Sequence, residues 1–178
     1  MCYFYRIVYT FFIVSILCGF FSKLQGQTMG VSVVTGGVVQ FQFNSYQKIK
    51  NGIQYPGFTK LKIISIDPDV ACNGWTLLCK STSGTVLCDD GVTTLPLSNI
   101  VITPLFESST FPGVTSVVTP FVPTGTFVKI ADCNGAGLYD AKSAIIVLDF
   151  SFASGTGLIG VKPEYYYLDL EFRIVKNP

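Results

Sequence analysis

Few residues in this chain could do chemistry, and their surroundings decide what kind. There is no histidine. A Ser-His-Asp or Cys-His relay is therefore excluded, because each needs an imidazole to carry the proton. Carboxylates remain as candidates for paired acid–base work: Asp67, Asp69, Asp89, Asp90, Glu107, Asp132 and Asp140. Turn formation explains Asp67-Pro68-Asp69 and Asp89-Asp90-Gly91 better than catalysis does. Those two turns also offer oxygens to calcium, but neither matches the spacing of a calcium-binding helix–loop–helix. Gly135-x-Gly137 and Gly155-x-Gly157 do not lead from a strand into a helix, as a phosphate-cradling loop must. No catalytic residue, metal ligand or cofactor-binding residue is assigned, and the chain reads as non-enzymatic.

The cysteines carry the other possible covalent chemistry. Four lie beyond residue 26: Cys72, Cys79, Cys88 and Cys133. They form no C-x2-C pair, and without histidine they do not suit a zinc ribbon. An even count predicts disulfides in a chain that carries a secretory leader, and residues 1–26 read as one. Three pairings are possible. Cys79 and Cys88 flank a predicted tight turn and would cross-link one hairpin, leaving Cys72 and Cys133 to tie two loops at one end. The alternative is that one pair stays reduced. Among aromatic residues, Trp75 falls on the inward register of a strand with Leu77, which predicts core packing rather than a sugar platform. In Tyr165-Tyr166-Tyr167, alternation buries Tyr166 and exposes Tyr165 and Tyr167, which could stack on a glycan.

The elements that must position these residues are strands. Ala144, Ile146, Leu148, Phe150 and Phe152 share one face of a period-two run. Tyr166, Leu168, Leu170, Phe172 and Ile174 do the same in the final run. The glycine-rich stretch between them predicts a long antiparallel hairpin whose apolar face a second sheet covers. Further strands are predicted at 39–43, 60–66, 75–80, 85–88, 100–103 and 125–131. Ser81 to Gly84 reads as a hairpin turn, and Ser45 to Lys50 as one helical turn ended by the turn signals Asn51-Gly52 and Pro56-Gly57. The proline-rich segment 104–123 reads as a surface loop with one edge strand. The fold class expected is all-β: an immunoglobulin-like, two-sheet antiparallel sandwich.

Arg6, the apolar run Ile7 to Phe21 and the polar exit SKLQGQ predict a secretory signal peptide over residues 1–26. The apolar run is shorter than the ~20 residues a membrane span needs. A single sandwich domain over 27–178 then remains, exported and with no stable membrane span after cleavage. The net charge of +1 gives no electrostatic case for nucleic acid.

Three stretches carry a family resemblance: FNSYQKIKNGI at 43–53, WTLLCK at 75–80 followed by LPLSNIVI, and LDFSFASGTGLIGVKPEYYYLDLEFRIV at 148–175. Together they resemble secreted Gram-negative β-sandwich proteins similar to spore-coat-U-like and fimbrial, pilin-like subunits. Cys79 stands where that pattern has an aliphatic residue, and segment 104–123 has no counterpart in it. The resemblance implies a protein in the extracellular space or on the bacterial outer surface. Its role would be structural or adhesive, with self-assembly or other surface proteins as partners. It also implies strand lending. Residues 28–35 would be the donor, with Met29, Val31 and Val33 as alternate knobs and Gly36-Gly37 as the hinge. The complete sandwich implied by the terminal hairpin favours the other outcome, in which this stretch pairs inside its own domain. A module binding carbohydrate through Tyr165 and Tyr167 is the alternative function.

Overall fold

The computed structural model describes residues 28–66, 74–111, 114–134, 142–152, 158 and 160–177. The predicted leader at 1–26, Cys72, Asp67, Asp69, Asp140 and the glycine pairs at 135–137 and 155–157 lie outside these residues. The described chain is an all-β antiparallel sandwich with one short α-helix and a 3-10 turn at Leu97–Asn99. Its strands are β1 (Thr28–Thr35), β2 (Val39–Gln42), β3 (Ile53–Ile66), β4 (Gly74–Ser81), β5 (Thr85–Cys88) and β6 (Thr94–Pro96). Then come β7 (Ile100–Ser109), β8 (Val114–Val117), β9 (Val128–Asn134), β10 (Lys142–Phe152), β11 (Tyr165–Leu168) and β12 (Leu170–Lys176). Helix α1 (Tyr46–Asn51) begins where the Ser45 hydroxyl accepts the Lys48 N–H at 3.3 Å, and ends at Gly52 with φ 74°.

One layer has the order β1-β3-β10-β7. The other is built from two hydrogen-bonded groups, β2-β11-β5-β6 and β12-β4-β9-β8. These groups are continuous. β11 and β12 are halves of one strand broken at Asp169, and β4 and β5 run antiparallel beside them. The Thr82 N–H donates to the Asp169 carbonyl at 3.1 Å across the break. The hairpin expected at Ser81–Gly84 is therefore not formed: those residues are a bulge within one strand direction, and β4 does not pair with β5. Turn-forming residues bend a chain in either setting, and only the neighbouring strand distinguishes them.

The terminal hairpin is corrected in the same way. β10 pairs with β3 and β7, whereas β11 and β12 belong to the opposite layer. The two alternating runs face each other across the core. Phe43 meets Phe152 of β10 edge-on at 5.0 Å and Tyr166 of β11 at 5.7 Å. Alternation reports which face of a strand is buried, not which strand lies alongside it. The faces themselves are as expected. Ala144, Ile146, Leu148, Phe150, Phe152, Tyr166 and Leu168 are buried. Trp75 is fully buried against Phe111, so it is a core residue and not a sugar platform.

Pro56 and Pro104 sit in the interior of strands. Pro56 and Gly57, expected as a turn, form a bulge in β3, where the register on β10 jumps from Leu148↔Thr59 to Phe150↔Tyr55. Asp149 fills the gap, its Oδ1 accepting the Gly57 N–H at 2.6 Å. Pro104 lies in β7, whose ladder partner is β10, with one further bridge from Ile102 to Phe121. An edge position tolerates its missing N–H. The 104–123 segment thus contributes the end of β7 and all of β8.

Candidate functional site

The N-terminal segment determines which edge stays open. β2 pairs with β11, with Val39 opposite Leu168. One turn earlier the chain crosses to the other layer, where β1 pairs with β3. Gly36 makes this crossing at φ 66°, and a Cβ there would overlap the Phe58 carbonyl oxygen. Beyond the crossing, β12 has β4 on one side and, among the described residues, no strand on the other.

The hydrogen bonds identify which groups that edge exposes. The Ser81 N–H donates to the Thr124 carbonyl, away from β12, while Thr82 and Gly74 bond to Asp169 and Asn177. Residues 169 and 177 thus point their main-chain groups toward the 74–82 strand, as do 171, 173 and 175 between them. Leu170, Phe172 and Ile174 point theirs outward. Their side chains turn inward and are only half-buried against the core. A pocket of about 110 Å³ opens beneath this edge, lined by Val33, Gly36, Gly37, Val39, Thr59, Phe150, Leu168, Asp169, Leu170 and Phe172. Sequence reasoning missed this site. The half-apolar alternation of 170–174 was visible, but a free edge has no signature of its own.

The predicted donor residues lie close by. Met29 and Val31 are half-buried on β1 and pack on the core, and Val33 is 46% exposed on the pocket rim. β1 is an intramolecular strand of its own domain. Tyr165 and Tyr167 lie side by side on the outer face of β11. Gln42 Nε2 donates to the Tyr165 hydroxyl at 2.6 Å and Gln40 Nε2 to that of Tyr167 at 3.3 Å. Tyr165 is exposed as alternation predicts, whereas Tyr167, expected to be exposed as well, is half-buried. Between them Tyr166 is buried and donates to the Lys162 carbonyl, and burial pushes its phenol up to about 12.

Among the described residues no three Cys, Asp or Glu gather as a metal-holding group. The Asp90 carboxylate accepts from the Thr93 hydroxyl, the Val92 and Thr93 N–H groups and Lys162 Nζ. These donors, led by Thr93, hold it well below the usual carboxylate range. That is a turn closed on itself, with Lys162 pinning it to the segment before β11.

The Cys79–Cys88 pairing is corrected. Both thiols are buried and unjoined. Cys79 lies opposite Phe172 and Cys88 opposite Tyr166 on the same long strand, so they sit far apart along one direction. Burial pushes the Cys79 thiol up to about 12 and raises that of Cys88. Cys133 is buried on β9 opposite Trp75. Its predicted partner Cys72 lies outside the described residues.

No family model and no curated protein matches the chain. Among solved structures it is similar to a family 123 glycoside hydrolase from Clostridium perfringens that hydrolyses glycolipid glycans, with TM-score 0.33 and 16% identity. The match covers 84% of this chain and 25% of that one, so the chain spans about a quarter of the hydrolase. A likeness of this size carries no argument about activity. Among the described residues no helix is long and apolar enough to cross a membrane.

The thiol assignment is directly testable. A thiol reagent at pH 8 is expected to leave Cys79 and Cys88 unmodified in the native protein and to label both after denaturation. Mass-spectrometric detection of a Cys79–Cys88 cross-link contradicts the strand arrangement.

Proposed function

We propose that this chain is an exported, non-enzymatic β-sandwich with a structural or adhesive role outside the cell or on its surface. It would join partners by strand addition at β12. One observation carries the reading: Leu170, Phe172 and Ile174 direct main-chain groups away from β4 while their apolar side chains remain half-buried. An added strand would satisfy those groups and complete that burial together. Natural edges are normally blunted by proline, bulges or inward-pointing charge; β12 has no proline or bulge, and its inward register stays apolar until Lys176 at its end. The resemblance to fimbrial and spore-coat-U-like subunits supports the same role. Since β1 is engaged with β3, the stretch that the resemblance implies as a donor is in use within its own domain.

Ile174→Lys places a charge inward at this edge. It is expected to abolish the concentration-dependent oligomers or filaments of the 27–178 chain, by ultracentrifugation and electron microscopy, with far-UV circular dichroism unchanged. Oligomers that persist undiminished contradict the reading.

A second reading rests on Tyr165 and Tyr167, two aromatic rings on one outer face with their hydroxyls tethered by glutamines. It makes this face a glycan platform. Retention on a glycan array should fall about fivefold in Tyr165→Ala if stacking holds the sugar, because a stacked ring contributes on the order of 1 kcal/mol. An array with no retained glycan removes this reading.

A further inference from the structure

The open edge also carries a charge pattern that selects a partner. On its solvent face β12 presents Glu171, Arg173 and Val175, all exposed. Glu171 is bridged to Lys80 at 2.9 Å. Arg173 lies over the Phe127 ring, 5.4 Å from its centroid, with no carboxylate partner among the described residues. One anion and one cation thus stand two residues apart beside main-chain groups that face solvent.

We propose that the strand added to β12 is β12 of a second copy, antiparallel, with a two-fold axis at Phe172. The inference rests on the open edge described above and specifies its occupant. Antiparallel geometry requires outward-directed residues to face outward-directed residues. A symmetric β12 pair must therefore place its axis on a residue and not between two. An axis at Glu171 sets that carboxylate against its own copy. An axis at Arg173 sets two guanidinium groups face to face. An axis at Ile174 leaves Arg173 opposite Val175. Only an axis at Phe172 puts Glu171 opposite Arg173 of the second copy, and symmetry makes that pair twice.

The same register settles the inner face. Phe172 faces its own copy, and Leu170 faces Ile174 of the second copy at the mouth of the 110 Å³ pocket. Leu170, Phe172 and Ile174 all point main-chain groups at the axis, and each facing pair exchanges two hydrogen bonds. The four-stranded group β12-β4-β9-β8 then continues across the axis into its counterpart. The exposed Val33 of β1, in the other layer, lines the same pocket as Leu170 and Phe172 and so lies on the side where the two copies meet.

Charge exchange tests this. Glu171→Arg and Arg173→Glu, each alone, oppose like charges twice across the axis. Each is expected to weaken self-association of the 27–178 chain by about tenfold or more. Mixed in equal amounts, the two variants restore opposite charges and should associate with each other as tightly as the wild type does. The variant carrying both exchanges should recover self-association by itself. The readouts are sedimentation velocity for affinity and native mass spectrometry for composition, with circular dichroism confirming the fold of each variant. A wild-type chain that is monomeric throughout overturns the proposal, as does a mixture that fails to form the heterodimer. Oligomers kept by both single variants but lost in Ile174→Lys overturn this register and leave strand addition through another donor standing.

Discussion

Every strand in a sheet has two rows of main-chain hydrogen-bonding groups, and a short connecting segment cannot serve two sheets at one level. That constraint organises this molecule. The N-terminal segment divides itself between layers, as β2 beside β11 and as β1 beside β3, and crosses at Gly36-Gly37. Below the crossing β12 continues for seven residues with β4 on one side and, among the described residues, no hydrogen-bonded strand on the other. The open edge is a consequence of where one glycine turns the chain, since only a residue at ease with φ 66° fits against the Phe58 carbonyl.

The rest of the fold makes that edge rigid. β12 is backed by β4, which is fully buried at Trp75, Leu77 and Cys79. A long aromatic cluster joining Phe41, Phe43, Phe152 and Tyr166 clamps the two layers at the β11 end. Aromatic pairs of this kind each contribute about 0.5–1.5 kcal/mol beyond the area they bury. The edge is thus a fixed template and not a frayed terminus. Its inward side chains are held at half burial because the layer opposite continues only as β1.

The sequence announces much of this and hides the rest for identifiable reasons. Period-two alternation places Phe150, Phe152, Tyr166 and Leu168 correctly in the core, because burial of one face is a local property. The partners of those strands are not local, so a run of glycines between β10 and β11 reads as a hairpin although the chain passes between layers. Ser81 to Gly84 and Pro56-Gly57 carry turn chemistry, yet each is a bulge within an extended strand. Both errors confuse a bend with a reversal. The cysteine pairing inherits the first of them. The outward register of Tyr165 and Tyr167 was legible from alternation; the half-burial of Tyr167 was not. Their glutamine tethers were not, since they depend on the register of β2 against β11.

The open edge makes a claim about individual amide protons, and hydrogen exchange followed by NMR reads them one at a time. In dilute solution the amides of Phe172 and Ile174 should exchange rapidly, while Glu171, Arg173 and Val175, bonded to β4, exchange slowly. Raising the protein concentration should slow the first two and leave the others as they were. Slow exchange at Phe172 and Ile174 at every dilution would mean that the chain covers this edge itself, and the account would be wrong.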